Sequence, residues 1–257
     1  TRHAEHADGG PTESTTMNAP RLSIVIPTCE RPRMLSACLD RLQSGTDASA
    51  PLAPEIVVSD DSRDGATRSL VEHAYPAVRW VAGPRRGPAA NRNRGAAEAR
   101  GRYLLFTDDD CLPSPRWVAA YAAAIRATPA ARLFEGPTTS DRPARRIDEE
   151  APVNLQGGYL WSCNMAIERE LFLSVGGFCE DFPAASNEDA DLRLRLARLG
   201  HAPMFVRDAA VCHPIRPSKG LAFQVRAGEA LLLLHRRHPE LLGHSPWRRA
   251  AHGVART

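Results

Sequence analysis

Three consecutive aspartates, Asp108, Asp109 and Asp110, follow the apolar run Tyr103-Leu104-Leu105-Phe106-Thr107. A run of that length predicts a buried strand. Like charges at a strand end repel one another and resist burial. A divalent cation reverses that balance, because hard ions such as Mg²⁺ and Mn²⁺ take carboxylate oxygens and share them with substrate phosphates. The simpler alternative is a solvated acidic turn leading into a helix near Ser114. Two further polar groups sit in the same relation to short apolar runs. Thr28 follows the run 22–26, and Asp60-Asp61 follow the run 55–59.

These groups need a frame that brings them together. Strands are predicted over 22–26, 55–59, 78–81 and 102–107. Helices alternate with them: 33–42 carries Leu35, Cys38, Leu39 and Leu42 at a helical period, and Asp64-Gly65 opens another with Leu70 and Val71 on one face. Residues 88–99 and 116–127 follow as Ala-rich helices. That alternation implies βαβ units and an α/β domain, with a mainly parallel central sheet flanked by helices. In such sheets ligands bind outside the carboxyl ends of the strands, where Thr28, Asp61 and the aspartate triplet all fall.

The second half is less regular. Residues 136–158 are rich in Pro, Arg and Gly, enclose Asp148-Glu149-Glu150, and read as a loop or flap. A short strand is expected over 160–165, leading into 168–174, before Gly176-Gly177-Phe178 breaks the chain. A helix over 189–199 places Leu192, Leu196 and Leu199 on one face. A last helix covers 221–237 and stops before Pro239. The predicted organisation is a disordered leader (1–20), a Rossmann-like nucleotide-binding half (21–112), a catalytic and acceptor half (113–217) and a helical extension (218–257).

Composition narrows the function. The chain has 257 residues, 43% hydrophobic and 25% charged, with a net charge of +3. That charge does not imply nucleic acid. Basic residues gather late, in His235-Arg236-Arg237-His238 and Trp247-Arg248-Arg249, which reads as a solvated surface or one that meets an anionic substrate or membrane. Six cysteines are scattered without a CxxC pair, which suits a reducing, cytoplasmic setting. No apolar stretch approaches the ~20 residues of a membrane span.

Several short motifs then occur in one order. Ser23-Ile24-Val25-Ile26-Pro27-Thr28 resembles the first strand of family 2 glycosyltransferases, which have the GT-A fold. Val57-Val58-Ser59-Asp60-Asp61-Ser62 is similar to their second strand and acidic turn. Asn91-Arg92-Asn93-Arg94-Gly95 resembles the run-in to their metal motif, and Asp108-Asp109-Asp110 stands at their Asp-x-Asp. Asn164-Met165-Ala166, Gly176-Gly177-Phe178 and Glu188-Asp189 complete the order. Two departures bear on donor contacts: the glycine usual after the paired aspartates is missing, and Cys29-Glu30 replaces a common Tyr-Asn.

The resemblance implies an inverting, metal-dependent transfer of a sugar from a UDP- or dTDP-sugar to a hydroxyl or amine, on a small-molecule or lipid-linked acceptor. Natural-product or glycoconjugate synthesis is the implied setting. By the same resemblance Asp61 reads the base N3–H, with Pro27, Thr28, Glu30 and Arg92 around the donor. Asp108 and Asp109 meet the donor too, Asp109 towards the ribose. Asp110 and His213 hold Mn²⁺ or Mg²⁺. Asp189 is the catalytic base, and Trp161, Asn164, Met165 and Glu188 face the acceptor. Bland readings stand beside these: a turn role for Asp61 and a helix-dipole role for Asp189. A nucleotidyltransferase or an inactive sugar-nucleotide-binding protein would share parts of the pattern.

Overall fold

The computed structural model describes residues 21–45 and 53–243. The expected leader and the Trp247-Arg248-Arg249 cluster lie outside these residues. β1 (Leu22–Thr28) is buried along all seven residues, as a continuous apolar run covered on both faces should be. α1 (Pro32–Gly45), β2 (Glu55–Asp60), α2 (Ala66–Ala74), β3 (Arg79–Ala82), α3 (Pro88–Glu98) and β4 (Tyr103–Phe106) follow in the predicted order. β1 pairs in parallel with both β2 and β4, with Ile24 opposite Ile56 and Leu105.

β5 (Leu112–Pro113) and α4 (Trp117–Ala127) lead to β6 (Leu133–Glu135), β7 (Thr138–Thr139) and β8 (Glu149–Glu150). β9 (Met165–Glu168), α5 (Arg169–Ser174), α6 (Glu188–Arg198), β10 (Met204–Phe205), β11 (Val211–Cys212), β12 (Arg216–Pro217), α7 (Leu221–Arg237) and α8 (Glu240–Gly243) complete the chain. The central sheet has the order β10-β6-β9-β4-β1-β2-β3, and β9 alone runs antiparallel to its neighbours β4 and β6. Strand alternation splits β1 between two cores. Ile24 and Ile26 face α1 through Leu35 and Leu39, while Val25 faces α3. At Gly95 an added Cβ would lie 2.6 Å from Val25 Cγ1, so only glycine lets α3 approach the sheet this closely.

Three expectations change. The strand expected over 160–165 begins at Met165. Buried Glu135 captures the backbone N–H groups of Gly158, Tyr159 and Leu160, which turns that stretch into a loop with Leu160 at φ +52°. Leu199 caps α6 and is 61% exposed, whereas Leu192 and Leu196 are fully buried. The late basic cluster is partly structural, because Arg237 Nε (2.7 Å) and His238 Nε2 (2.9 Å) both reach Asp191.

Asp191 has no exposure and also accepts from Arg195 Nε at 2.8 Å. Burial opposes its charge, but the hydrogen bonds from Arg237 and His238 and the charge of Arg195 outweigh it and hold its pKa below the ordinary value. Asp191→Ala would remove the acceptor shared by Arg195, Arg237 and buried His238, at a cost of about 1–3 kcal/mol. The urea midpoint should fall accordingly near neutral pH. A depressed pKa stabilises only above the unfolded value, so the deficit should shrink as the pH drops through the carboxylate range.

Candidate functional site

One cavity of about 1050 Å³ opens at the carboxyl ends of β1, β2 and β4. Its floor is tied by short-range chemistry. The Asp61 amide donates to the Thr28 carbonyl at 2.9 Å, and Asn91 Nδ2 donates to the same oxygen at 3.0 Å. Asp61 Oδ1 accepts from the Arg85 amide at 2.7 Å, which folds the segment after β3 over the floor. Ser62 Oγ accepts from the Glu30 amide at 2.7 Å. The ends of β1 and β2 are thereby locked together.

Arg92 crosses the wall. It is buried, with Nη2 2.7 Å from Asp108 Oδ1 and Nη1 3.0 Å from Glu188 Oε1. Burial disfavours its charge, yet the two carboxylates keep it firmly protonated. Through Arg92 the aspartate triplet is joined to the start of α6, where Asp189 lines the same cavity. Asp189 carries a pKa pushed up to about 7, first by burial and then by the negative charge of Glu188. A carboxylate poised there can take a proton near neutral pH.

Pro27, Thr28, Glu30, Asp61 and Arg92 line this cavity, as do Asp108, Asp110, Trp161, Glu188, Asp189 and His213. The sequence expectations meet here at one place. Glu188 is committed to Arg92 by one oxygen, so it anchors that guanidinium rather than standing open to an acceptor.

Three residues lie elsewhere. Asp109 is turned inward, accepting from the Thr28 hydroxyl at 2.7 Å and pairing with Arg31 at 2.7 Å, so it does not reach a ribose. Its pKa is pushed up to about 7 by burial, against Arg31 and Thr28 and with Asp110 and Asp108 adding to the rise. Asn164 is a buried knot: Oδ1 accepts from Trp117 Nε1 and Tyr121 Oη at 2.8 Å, and Nδ2 donates to the Pro137 and Ala209 carbonyls at 2.9 Å. Met165 has no exposure and packs in the core. Neither can face an acceptor.

The sequence reading missed a cationic rim. Arg31 Nη1 (3.1 Å) and Arg216 Nη1 (2.9 Å) both reach Asp110 Oδ2, and Arg85, Arg193 and Lys219 also line the cavity. Among the described residues, the non-glycine positions at positive φ are Glu30, Arg85, Leu160 and Asn187. Three of these line the cavity and the fourth lies between lining residues Tyr159 and Trp161. Strain of this kind persists where surrounding structure over-determines it, commonly at working sites.

The implied cation fits the residues present. Asp110 Oδ1 is buried without a hydrogen-bond partner and lies 3.5 Å from His213 Nε2. His213 Nδ1 is 3.1 Å from the Pro214 carbonyl, which can only accept, so Nδ1 is the donor of that contact. Nε2 is then the ring nitrogen turned toward Asp110 Oδ1, and a cation between the two would take both as ligands. Cys111 Sγ is also nearby. Its hydrogen bond to Cys163, with burial, holds it as a neutral thiol, a poor partner for a hard ion.

Known proteins share this architecture. Residues 23–172 match the sequence model for glycosyl transferase family 2. The chain is 28% identical to validoxylamine A glucosyltransferase of Streptomyces hygroscopicus subsp. limoneus, over 98% of this chain and 64% of that protein. It therefore spans about two thirds of that relative's length. A 35% share of the chain is 29% identical to 30% of the GalNAc(5)-diNAcBac-PP-undecaprenol beta-1,3-glucosyltransferase of Campylobacter jejuni. Among solved structures, the mannosyltransferase PcManGT of Pyrobaculum calidifontis, in complex with GDP-Man and Mn²⁺, superposes with a TM-score of 0.61. That match has 19% identity and covers 86% of this chain and 65% of the other. The fold is the GT-A fold.

Proposed function

The chain belongs to glycosyl transferase family 2, and on that premise we propose that it inverts a sugar in passing it from a pyrimidine nucleoside diphosphate to an acceptor hydroxyl or amine. It is an enzyme of glycosyl transfer. The nucleotidyltransferase alternative falls with the family assignment. The observation that carries the proposal is Arg92, which ties Asp108 to Glu188, the neighbour of Asp189, on one wall of a cavity that Asp61 also lines.

The chemistry follows from those positions. Asp189 accepts the acceptor's proton as its oxygen or nitrogen attacks the anomeric carbon. The bond from that carbon to the diphosphate breaks, and its electron pair leaves with the nucleoside diphosphate. One carboxylate serving as base suits a single displacement and inversion. Arg31, Arg216 and Lys219 surround the place where the leaving charge develops. A bound Mn²⁺ or Mg²⁺, held by Asp110 and His213, would neutralise the diphosphate; the relative solved with Mn²⁺ supports a divalent ion. Tyr159 and Trp161, with ring centroids 4.8 Å apart, form a shelf on which the apolar face of an acceptor can rest.

Base selection is tested at Asp61. Asp61→Asn keeps an acceptor for the Arg85 amide but replaces the other carboxylate oxygen with a donor. A donor facing the N3–H of uracil is repulsive. Loss of one hydrogen bond to a charged group costs about 1.5–3 kcal/mol, so UDP affinity should drop roughly 10- to 100-fold relative to GDP. An unchanged ratio in competition binding would place base reading elsewhere.

A further inference from the structure

The segment that carries the aromatic shelf lies in no strand or helix, and two buried side chains hold its backbone instead. Asn154 Oδ1 accepts from the amides of Gln156 (3.3 Å) and Gly157 (2.8 Å). Glu135, at the end of β6, takes the amides that follow. Its Oε1 accepts from Gly158 at 2.5 Å, and its Oε2 accepts from Tyr159 at 3.3 Å and Leu160 at 2.9 Å. Asn154 Nδ2 closes the arrangement by donating to Glu135 Oε2 at 3.3 Å.

A buried carboxylate is costly unless donors surround it. Every donor to this one belongs to residues 154–160, so the carboxylate serves that segment. The consequence is a fixed conformation. Leu160 is held at φ +52°, where bulky side chains rarely sit, and its side chain is fully buried. Its neighbours Tyr159 and Trp161 line the cavity, with ring planes 31° apart. The fit is close: a Cβ added at Gly157 would lie 2.9 Å from Phe205 Cδ2 and 3.0 Å from Glu135 Oε1.

We infer that Glu135 is a positioning residue for the acceptor. By gathering these amides it sets Tyr159 and Trp161 as a platform for a saturated ring, such as a sugar, stacked by its C–H face. Glu135 is not itself a lining residue, so its effect on the cavity passes through the platform. That the ring belongs to an acceptor rests on the transferase reading above; the platform and its dependence on Glu135 do not.

Phenyl β-D-glucoside is the probe, titrated by ligand-observed NMR into the whole chain with UDP and Mn²⁺ present. The wild type should bind it, and Trp161→Ala should remove most of that binding. Glu135→Gln keeps the volume but turns one oxygen into a donor facing backbone donors. Affinity for the glucoside should fall about 10- to 100-fold, the effect of losing a hydrogen bond to a charged group. UDP affinity in Mn²⁺ should stay at the wild-type value, which also reports that the variant is folded. Tyr159→Ala should weaken the glucoside roughly tenfold. Adding it to Glu135→Gln should cost little more than Glu135→Gln alone, because both act through one platform. Gly158→Ala gives a second route. Gly158 is exposed at φ +94° with open space around an added Cβ, so alanine strains this turn without a clash. It too should weaken the glucoside and spare UDP, and it decides the matter if Glu135→Gln does not fold. Wild-type glucoside affinity in folded Glu135→Gln or in Gly158→Ala would overturn the inference. So would absence of glucoside binding by the wild type, or fully additive losses in the double variant. A wild type that fails to bind UDP while the glucoside pattern holds would sink the transferase reading and leave the platform standing.

Discussion

Asp189→Asn should lower glycosyl transfer by about 10²–10⁴, the usual contribution of a general base. Asparagine keeps the shape and can still accept from the Ala190 amide, which Asp189 Oδ1 holds at 2.8 Å. It cannot take a proton. Donor affinity should not change, because the nucleotide is held by other groups; the loss should appear in kcat and kcat/KM together. The pH profile gives an independent sign. The base works when ionised, and its pKa is raised to about 7 by burial and by Glu188. Transfer should therefore fall about tenfold for each pH unit below that value and level off above it. The variant should lack that limb. A wild-type rate flat between about pH 5 and pH 8 would remove Asp189 from the role. If the variant transferred at the wild-type rate, Glu188 would be the next carboxylate to test.

Asp110→Ala has two opposed consequences, and their balance identifies what holds the diphosphate. With Mn²⁺ present, loss of a direct ligand should weaken UDP binding about 100-fold or more, since even outer residues around a metal cost 10–100-fold. With chelator present, the same substitution frees Arg31 and Arg216 from the carboxylate they share. An unpaired Arg216, with Arg31 held by Asp109 alone, should then bind a dianionic ligand more tightly than in wild type. Calorimetry in both media separates the cases. If the variant binds better in both, the arginines carry the site and the metal assignment is wrong.

The strands and helices that build the floor were legible because β1, β2 and β4 are continuous apolar runs with polar ends, and α1 repeats at a helical period. Asp61, Asp110 and Asp189 were legible because each closes or opens such an element. Asp109 was misread because it lies in the turn after β4, where strand alternation no longer sets side-chain direction, and its hydroxyl partner Thr28 lies 81 residues away. Asn164 was beyond local reading. Its partners Trp117 and Tyr121 lie 47 and 43 residues away, and nothing near Asn164 in sequence announces a buried knot. Arg31 was hidden for the same reason, since it meets Asp110 across 79 residues. Glu135 is the clearest tertiary override: one buried carboxylate collects three backbone amides and displaces an expected strand.

The central claim is that this cavity takes a pyrimidine nucleoside diphosphate with the help of a divalent ion. Calorimetric titration of UDP, dTDP and GDP, each with Mn²⁺ and then with excess chelator, tests it most directly. UDP or dTDP should bind with Mn²⁺ more tightly than GDP, and chelator should abolish most of that affinity. Absence of binding by all three with Mn²⁺, or affinities indifferent to chelator, would contradict the account.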